Sequence, residues 1–408
     1  MTSLSASYTS ELSLNGLWET GIDRDYSTRV SVPGLAGDPA QVTPGTVWYR
    51  RTVVLPEGEW TRATLTLYGA RFCPRIYVNG DLVSSSEGGM TWTHHRFAHP
   101  AVQPGETVTL EIALADLDAT DPGDASRIPA ADRWRSNISS SLWDAVTLRC
   151  HGDNCLTRVI PSYDLASDTL TVHWETTGDD DNYIATVEIL AIDGSILAAN
   201  SAPSNADQTK IPLHGACELW SPETPHLYRL RVTLMAGARV LDMDEFSWAP
   251  RDFRIDGKKF RLNGLPVTFR AGSFVWHRFV RDREGREIAW DTAWIEENIV
   301  RRLKAHGANG LRFHLGMPPE ALLDLCDKYG LLVQAEWSFF HGMPGAKVSL
   351  LRQWRNWFDL IMRHPSIVII HPWNETEGEE LDTAFAALTE IVSDYPPLVI
   401  AHRDTLHI

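Results

Sequence analysis

No stretch of about 18 consecutive apolar residues occurs in the 408-residue sequence, so no membrane-spanning helix is expected. The opening MTSLSASYTSELSLNG lacks a basic region followed by an apolar core. A secretory leader is therefore not expected, and a cytoplasmic location is. Basic residues are in deficit, with 37 Lys and Arg against 53 Asp and Glu and a net charge of −16. Such a balance repels phosphate backbones and offers nothing to anionic lipid, so neither nucleic acid nor membrane is an expected partner. Cysteine is scarce: Cys73, Cys150, Cys155, Cys217 and Cys326, an odd number with no C-x-x-C and no Cys/His ligand spacing. Free buried thiols without a zinc site are the expectation. No G-x-G-x-x-G follows an apolar run, which weighs against a doubly wound dinucleotide fold.

What is present changes character along the chain. At roughly 100–200 residues per domain, the length suggests two to four domains. From residue 11 to 150, short runs alternate apolar and polar side chains. Leu65 and Leu67 alternate in one run, and Val108, Leu110, Ile112 and Leu114 in another. Asn79-Gly80 between two apolar runs predicts a hairpin. The segments TLTVHWET, YIATVEIL and LYRLRVTL continue the period of two up to about residue 250. After residue 256 the period changes. GLPVTFRAG reads as a strand, and WDTAWIEENIVRRLKAHG as an amphipathic helix with Ile295, Ile299 and Leu303 spaced by four. The strands NGLRFHLG, LLVQAEWSFF, SIVIIHPWNE and PLVIAHRD follow, separated by helices. The expected architecture is multidomain β and α/β. It comprises a jelly-roll β-sandwich over 1–153, an immunoglobulin-like β-sandwich over 154–252, and a partial (β/α)8 barrel with a parallel sheet over 253–408. Sixteen Trp is a high count; most are expected in cores, but flat aromatic faces also suit sugar rings.

Several stretches resemble, in order, family 2 of the glycoside hydrolases, which includes β-galactosidases, β-glucuronidases and β-mannosidases. They are LSLNGLWET, TVWYRRTVVLP, SSLWDAVTL, LWSPETPHLYRLRV, FRIDGKKFRLNGLPVTFR, LCDKYGLLVQAE and RHPSIVIIHPWNE. The resemblance implies a retaining β-glycosidase cleaving O-glycosidic bonds of β-galactoside or β-glucuronide type. The absence of a Gly-rich R-V-W-G-G stretch after the second strand of the last segment makes a large β-mannosidase type the weaker match.

Glycoside hydrolysis needs one carboxylic acid to protonate the departing oxygen and a second carboxylate across the anomeric carbon. The resemblance makes Glu375 the acid/base and Asn374 its neighbour on the sugar 2-hydroxyl. The residues alone allow another reading, in which Asn374 caps a helix and Glu375 sits near its positive end. Glu336, at the end of LLVQAE, falls on a family acidic position used for support or sugar contact. Arg312 and His314 resemble the family's Asn-x-x-Arg-x-x-His pattern counted from Asn309, although the Arg-to-His spacing here is two rather than three. Trp373 and His277 are further expected substrate contacts, and Trp276 is as well suited to the core. No set of residues makes a convincing hard-metal cluster, so neither a metal nor another cofactor is expected. A carbohydrate is the expected partner, and a homo-oligomer is allowed.

A complete barrel takes about 250 residues. The stretch after residue 256 provides five apparent strands. The family's nucleophile is a second Glu near the seventh strand, so the expectation is a chain truncated within its barrel, inactive alone, with its first and fifth strands as bare edges. The second function class consistent with the sequence is a non-catalytic carbohydrate-binding or interaction protein with a degenerate barrel. The gene sequence after codon 408 separates the two.

Overall fold

The computed structural model describes residues 10–37, 45–115, 140–178, 182–276, 283–337, 339, 348–376, 379–402 and 405–407. Alternating side chains dictate the first segment. A four-stranded sheet, in the order Ser10–Ser13, Val146–His151, Arg62–Leu67, Thr93–Ala98, and a six-stranded sheet share one apolar core. Trp18, Tyr49, Leu65, Leu67, Ile112 and Leu148 supply much of it. The Asn79-Gly80 hairpin forms as expected, pairing Val78 with Asp81. Both turn residues have positive φ, 52° and 93°, as a two-residue turn matched to strand twist requires.

The second segment is also all strand. A three-stranded sheet and a four-stranded sheet, whose longest member is Arg239–Trp248, enclose Val172, Trp174, Val187, Leu230 and Val232. Among the described residues, no helix precedes residue 276.

The change of period near residue 256 marks a change of architecture. GLPVTFRAG is not one strand. Leu265–Val267 completes a small antiparallel sheet with Phe253–Asp256 and Lys259–Leu262, and Ala271–Phe274 then opens a separate parallel sheet. The parallel strands are Ala271–Phe274, Gly310–Phe313, Leu332–Glu336, Ile367–His371 and Val399–His402, in that order. The fifth is not a bare edge, contrary to expectation. Thr405–His407 folds back and pairs with it antiparallel, so its outer backbone groups are partly satisfied.

The helix expected after residue 290 forms in three consecutive pieces, Thr292–Ile295, Glu296–Val300 and Arg301–Ala305, the middle one wound as a π-helix. The wider turn shifts the apolar stripe: Ile295 and Val300, five apart, are buried, while Ile299 and Leu303 are only partly so. The following helix, Glu320–Tyr329, ends at Gly330 with φ 67°, where an added Cβ would lie 2.8 Å from the Pro222 carbonyl oxygen. Its start is held from the first segment, because the Asp144 carboxylate accepts the Glu320 N–H at 2.9 Å. One large core joins these helices and the parallel sheet to Phe72, Trp92 and Trp143 of the first segment and Ile160 of the second. All five cysteines are free thiols, four of them buried. No helix among the described residues is long and apolar enough to cross a membrane.

Candidate active site

In a parallel sheet the loops beyond the carboxyl ends of the strands make the ligand-facing layer. The expected residues Arg312, His314, Glu336, Asn374 and Glu375 all lie there, at or after the ends of the second, third and fourth parallel strands. Register brings them together, since Arg312 is level with Gln334 and Glu336 with His371. Gln334 and Glu336, two apart, share one face of their strand.

Glu336 is fully buried. Its Oε1 accepts from the Arg312 guanidinium, from His371 Nδ1 at 2.9 Å and from Gln334 Nε2 at 3.3 Å. Its Oε2 accepts from His314 Nδ1 at 2.8 Å and from the Leu315 N–H at 3.0 Å. Burial alone would push this carboxyl up. The hydrogen bonds from His314 and His371, the charge of His371 and the bond from Arg312 outweigh burial and hold it well below the usual carboxylate range. The group is thus a fixed anion with both oxygens occupied.

The Arg-to-His spacing of two is accommodated by the backbone. Leu315 is buried and adopts φ 63°, a conformation that bulky side chains rarely take. There the His314 ring and the Leu315 N–H reach the same carboxylate oxygen. Asn309, first member of the expected pattern, does different work. It lies just before the second strand, accepting from the Arg270 N–H at 2.7 Å and donating to the Thr268 carbonyl at 2.9 Å.

Arg312 also donates through Nη2 to Asn374 Oδ1 at 2.7 Å. That bond fixes the Asn374 amide, whose backbone N–H donates to Phe339 O at 3.0 Å. The outcome is a directed donor: Asn374 is 5% exposed, and its Nδ2 is buried with no acceptor among the described residues. Glu375 beside it is exposed, in left-handed backbone with φ 48°. The next helix is Glu379–Val392, so Asn374 does not cap it through its side chain.

Trp373 does not take the sugar-facing position expected of it. It is 1% exposed, and its ring packs at 6.1 Å from Trp354 and 6.2 Å from Phe385, in the core that backs the site. Trp276 is likewise core, packed against Trp143 and Trp290. His277 lies outside the described residues. Sequence reasoning passed over His371 and Gln334. Gln334 was legible from its alternation with Glu336; His371 had no such signal, because only the strand register places it opposite Glu336.

Asp324, Asp327 and His364 form a group of metal-ligand composition among the described residues. His364 Nδ1 bonds Asp327 Oδ2 at 2.7 Å, and the Ser366 N–H bonds Asp327 Oδ1 at 2.9 Å. Burial would lower His364, but Asp327 and Glu320 raise it to about 10. The pair reads as a buried ion pair at the foot of the sheet.

Residues 157–247 match the model of glycosyl hydrolases family 2. A β-glucuronidase of Rattus norvegicus is 27% identical over 399 residues, covering 89% of this chain and 58% of the rat protein. The chain thus spans little more than half the length of that relative. An FMN-binding β-glucuronidase from Faecalibacterium prausnitzii L2-6 has a similar fold, with TM-score 0.78, 20% identity, and coverage of 97% of this chain and 64% of that one. Bacteroides uniformis β-glucuronidase 2, solved covalently bound to cyclophellitol-6-carboxylate aziridine, aligns with TM-score 0.76, 22% identity, and coverage of 96% and 52%.

Proposed function

We propose that the chain, whose residues 157–247 match the model of glycosyl hydrolases family 2, supplies the acid/base half of a retaining β-glycosidase acting on β-glucuronides. In this reading residues 1–153 are a jelly roll, 154–252 an immunoglobulin-like sandwich and 253–408 the first part of a (β/α)8 barrel. The separate apolar cores of the first two segments support that division. The β-glucuronidase relatives favour a glucuronide over a galactoside.

The observation that carries the proposal is the orphaned Asn374 Nδ2 beside the exposed Glu375. A buried donor without an acceptor is unfavourable by about 1–3 kcal/mol unless a ligand satisfies it. A sugar 2-hydroxyl oxygen is an acceptor of the right kind, and accepting from Asn374 would hold the ring beside Glu375. Glu375 then protonates the departing oxygen and later deprotonates water. Glu336 takes no part in bond making: fully buried with both oxygens bonded, it aligns Arg312, which aligns Asn374. The nucleophile is a second carboxylate across the sugar, proposed to come from the part of the relatives' length that these residues do not cover. The covalent adduct on the Bacteroides uniformis protein is of the sort a double-displacement enzyme makes.

The 408-residue chain is expected to leave 4-nitrophenyl β-D-glucuronide intact, because losing a nucleophile removes several orders of magnitude of rate. In a longer form from the same reading frame, Glu375→Ala should slow alkyl glucuronides far more than activated aryl ones. Azide should restore turnover and yield a glucuronyl azide. Equal losses for all leaving groups with no azide product would remove Glu375 from the acid/base role.

A further inference from the structure

Away from the candidate active site, a polar cleft runs where the first segment, the second segment and the helix Val348–Ile361 meet. Its inner chamber has a volume of about 210 Å³ and its outer chamber about 400 Å³. His94, Arg96, Thr157, Arg158 and Asp359 line both, so the chambers adjoin. The outer one falls within the roughly 300–1,000 Å³ typical of small-molecule sites.

Buried polar atoms of this cleft's lining residues without a hydrogen-bond partner among the described residues include Ser86 Oγ, Trp92 Nε1, Arg158 Nη2 and Arg363 Nε. They come from three separate stretches of chain. A buried donor or acceptor left without a partner is unfavourable, and native interiors hold few of them. Their convergence on one cleft points to an occupant rich in hydrogen-bonding groups.

Charge selects among occupants. The cleft's carboxylates are largely engaged. Asp359 bonds Arg158 and Tyr395, Glu175 pairs with Arg158, Asp244 pairs with Arg363, and Glu245 pairs with Arg229 and Arg231, while Glu87 also lines the outer chamber. Arg96 and Arg352, both lining the outer chamber and both exposed, have no ion-pair partner among the described residues. Guanidinium groups match carboxylates bidentately. The inner chamber presents hydroxyls of Thr64, Thr147 and Tyr68, the Glu11 carboxyl and the Trp92 ring, which suit a polyol.

We propose that this cleft is an accessory binding site for an acidic saccharide, its carboxylate held by Arg96 and Arg352 and its hydroxyls by the inner chamber. The site involves none of the residues assigned to catalysis and stands or falls separately from that assignment.

The test is calorimetric titration of the 408-residue chain with trigalacturonate and with neutral maltotriose. Trigalacturonate should bind, more weakly as sodium chloride is raised, and maltotriose should bind far less well. The double variant Arg96→Ala/Arg352→Ala should weaken trigalacturonate at least about tenfold with an unchanged melting temperature, both positions being exposed. Asn374→Ala should leave binding intact. Absence of binding, equal affinity for maltotriose, or loss of binding in Asn374→Ala would each overturn the proposal. So would a crystal grown with trigalacturonate that shows only water on Ser86, Trp92 and Arg158.

Discussion

Glu336 and Glu375 both follow strands of the parallel sheet, yet the fold treats them in opposite ways. Glu336 is fully buried, with two imidazoles, a guanidinium, an amide and a backbone N–H on its two oxygens. Glu375 is exposed, on left-handed backbone just past an asparagine whose own amide is fixed. The first carboxylate has exchanged water for protein partners and become structural. The second stays exposed, on an unfavourable backbone conformation. Arg312 links the two regions, with one nitrogen on Glu336 and another on Asn374.

The largest effect should come from removing the structural member. Glu336→Ala leaves Arg312, His314 and His371 partly buried and facing one another without a counter-charge. Breaking a buried ionic network in this way is destabilising by about 3–5 kcal/mol. Glu375→Ala, at an exposed position, should stay within about 0.5 kcal/mol of the parent. Urea unfolding of both variants checks the contrast. Equal stability losses would mean that Glu375 also holds the fold.

The pH dependence of stability should show a smaller effect. The folded-state pKa of Glu336 lies below its unfolded value, so the stability it contributes is present above the ordinary carboxylate range and is lost as pH falls through it. Glu336→Gln should therefore flatten the acid limb of the stability curve below about pH 5. His364 has the opposite sign. Raised to about 10, its contribution is complete below the unfolded value of about 6.5 and is lost as pH climbs toward 10. Asp327→Asn should flatten that alkaline limb. A Glu336→Gln variant with an unchanged acid limb would show that its partners do not hold the carboxylate ionised.

The contrast between the two glutamates explains what the sequence disclosed. Strand order and helix positions after residue 310 were legible, because apolar runs and Gly-terminated helices follow from local chemistry, as Glu320–Tyr329 with Gly330 shows. Arg312, Glu336, Asn374 and Glu375 were legible as a set only through resemblance. Their connection runs through strand register, which no local pattern encodes. For the same reason His371 was missed and Trp373 was misplaced. An aromatic next to a catalytic motif looks like a sugar platform until packing against Trp354 shows it to be core. The split of GLPVTFRAG between two sheets was hidden because both pieces favour extended backbone. The return strand Thr405–His407 was hidden by its brevity.

The smallest expected effect probes the backbone under Glu375. A side chain at φ 48° carries a Cβ penalty of roughly 1–2 kcal/mol that glycine does not. Glycine also loosens the unfolded chain, which returns about 0.4–1 kcal/mol of that gain. Glu375→Ala and Glu375→Gly both remove the carboxyl, so any difference between them reports the backbone alone. Glu375→Gly should be the more stable by about 0.5–1 kcal/mol, read from urea midpoints at constant slope, while both are equally unable to deliver a proton. A more stable glycine variant would mean that the strain persists because the carboxyl must be presented there, the pattern of a functional position rather than a structural one. If alanine and glycine were equal, the left-handed turn would be relaxed in solution, and the opposition between a built-in Glu336 and a strained, presented Glu375 would reduce to a difference in burial.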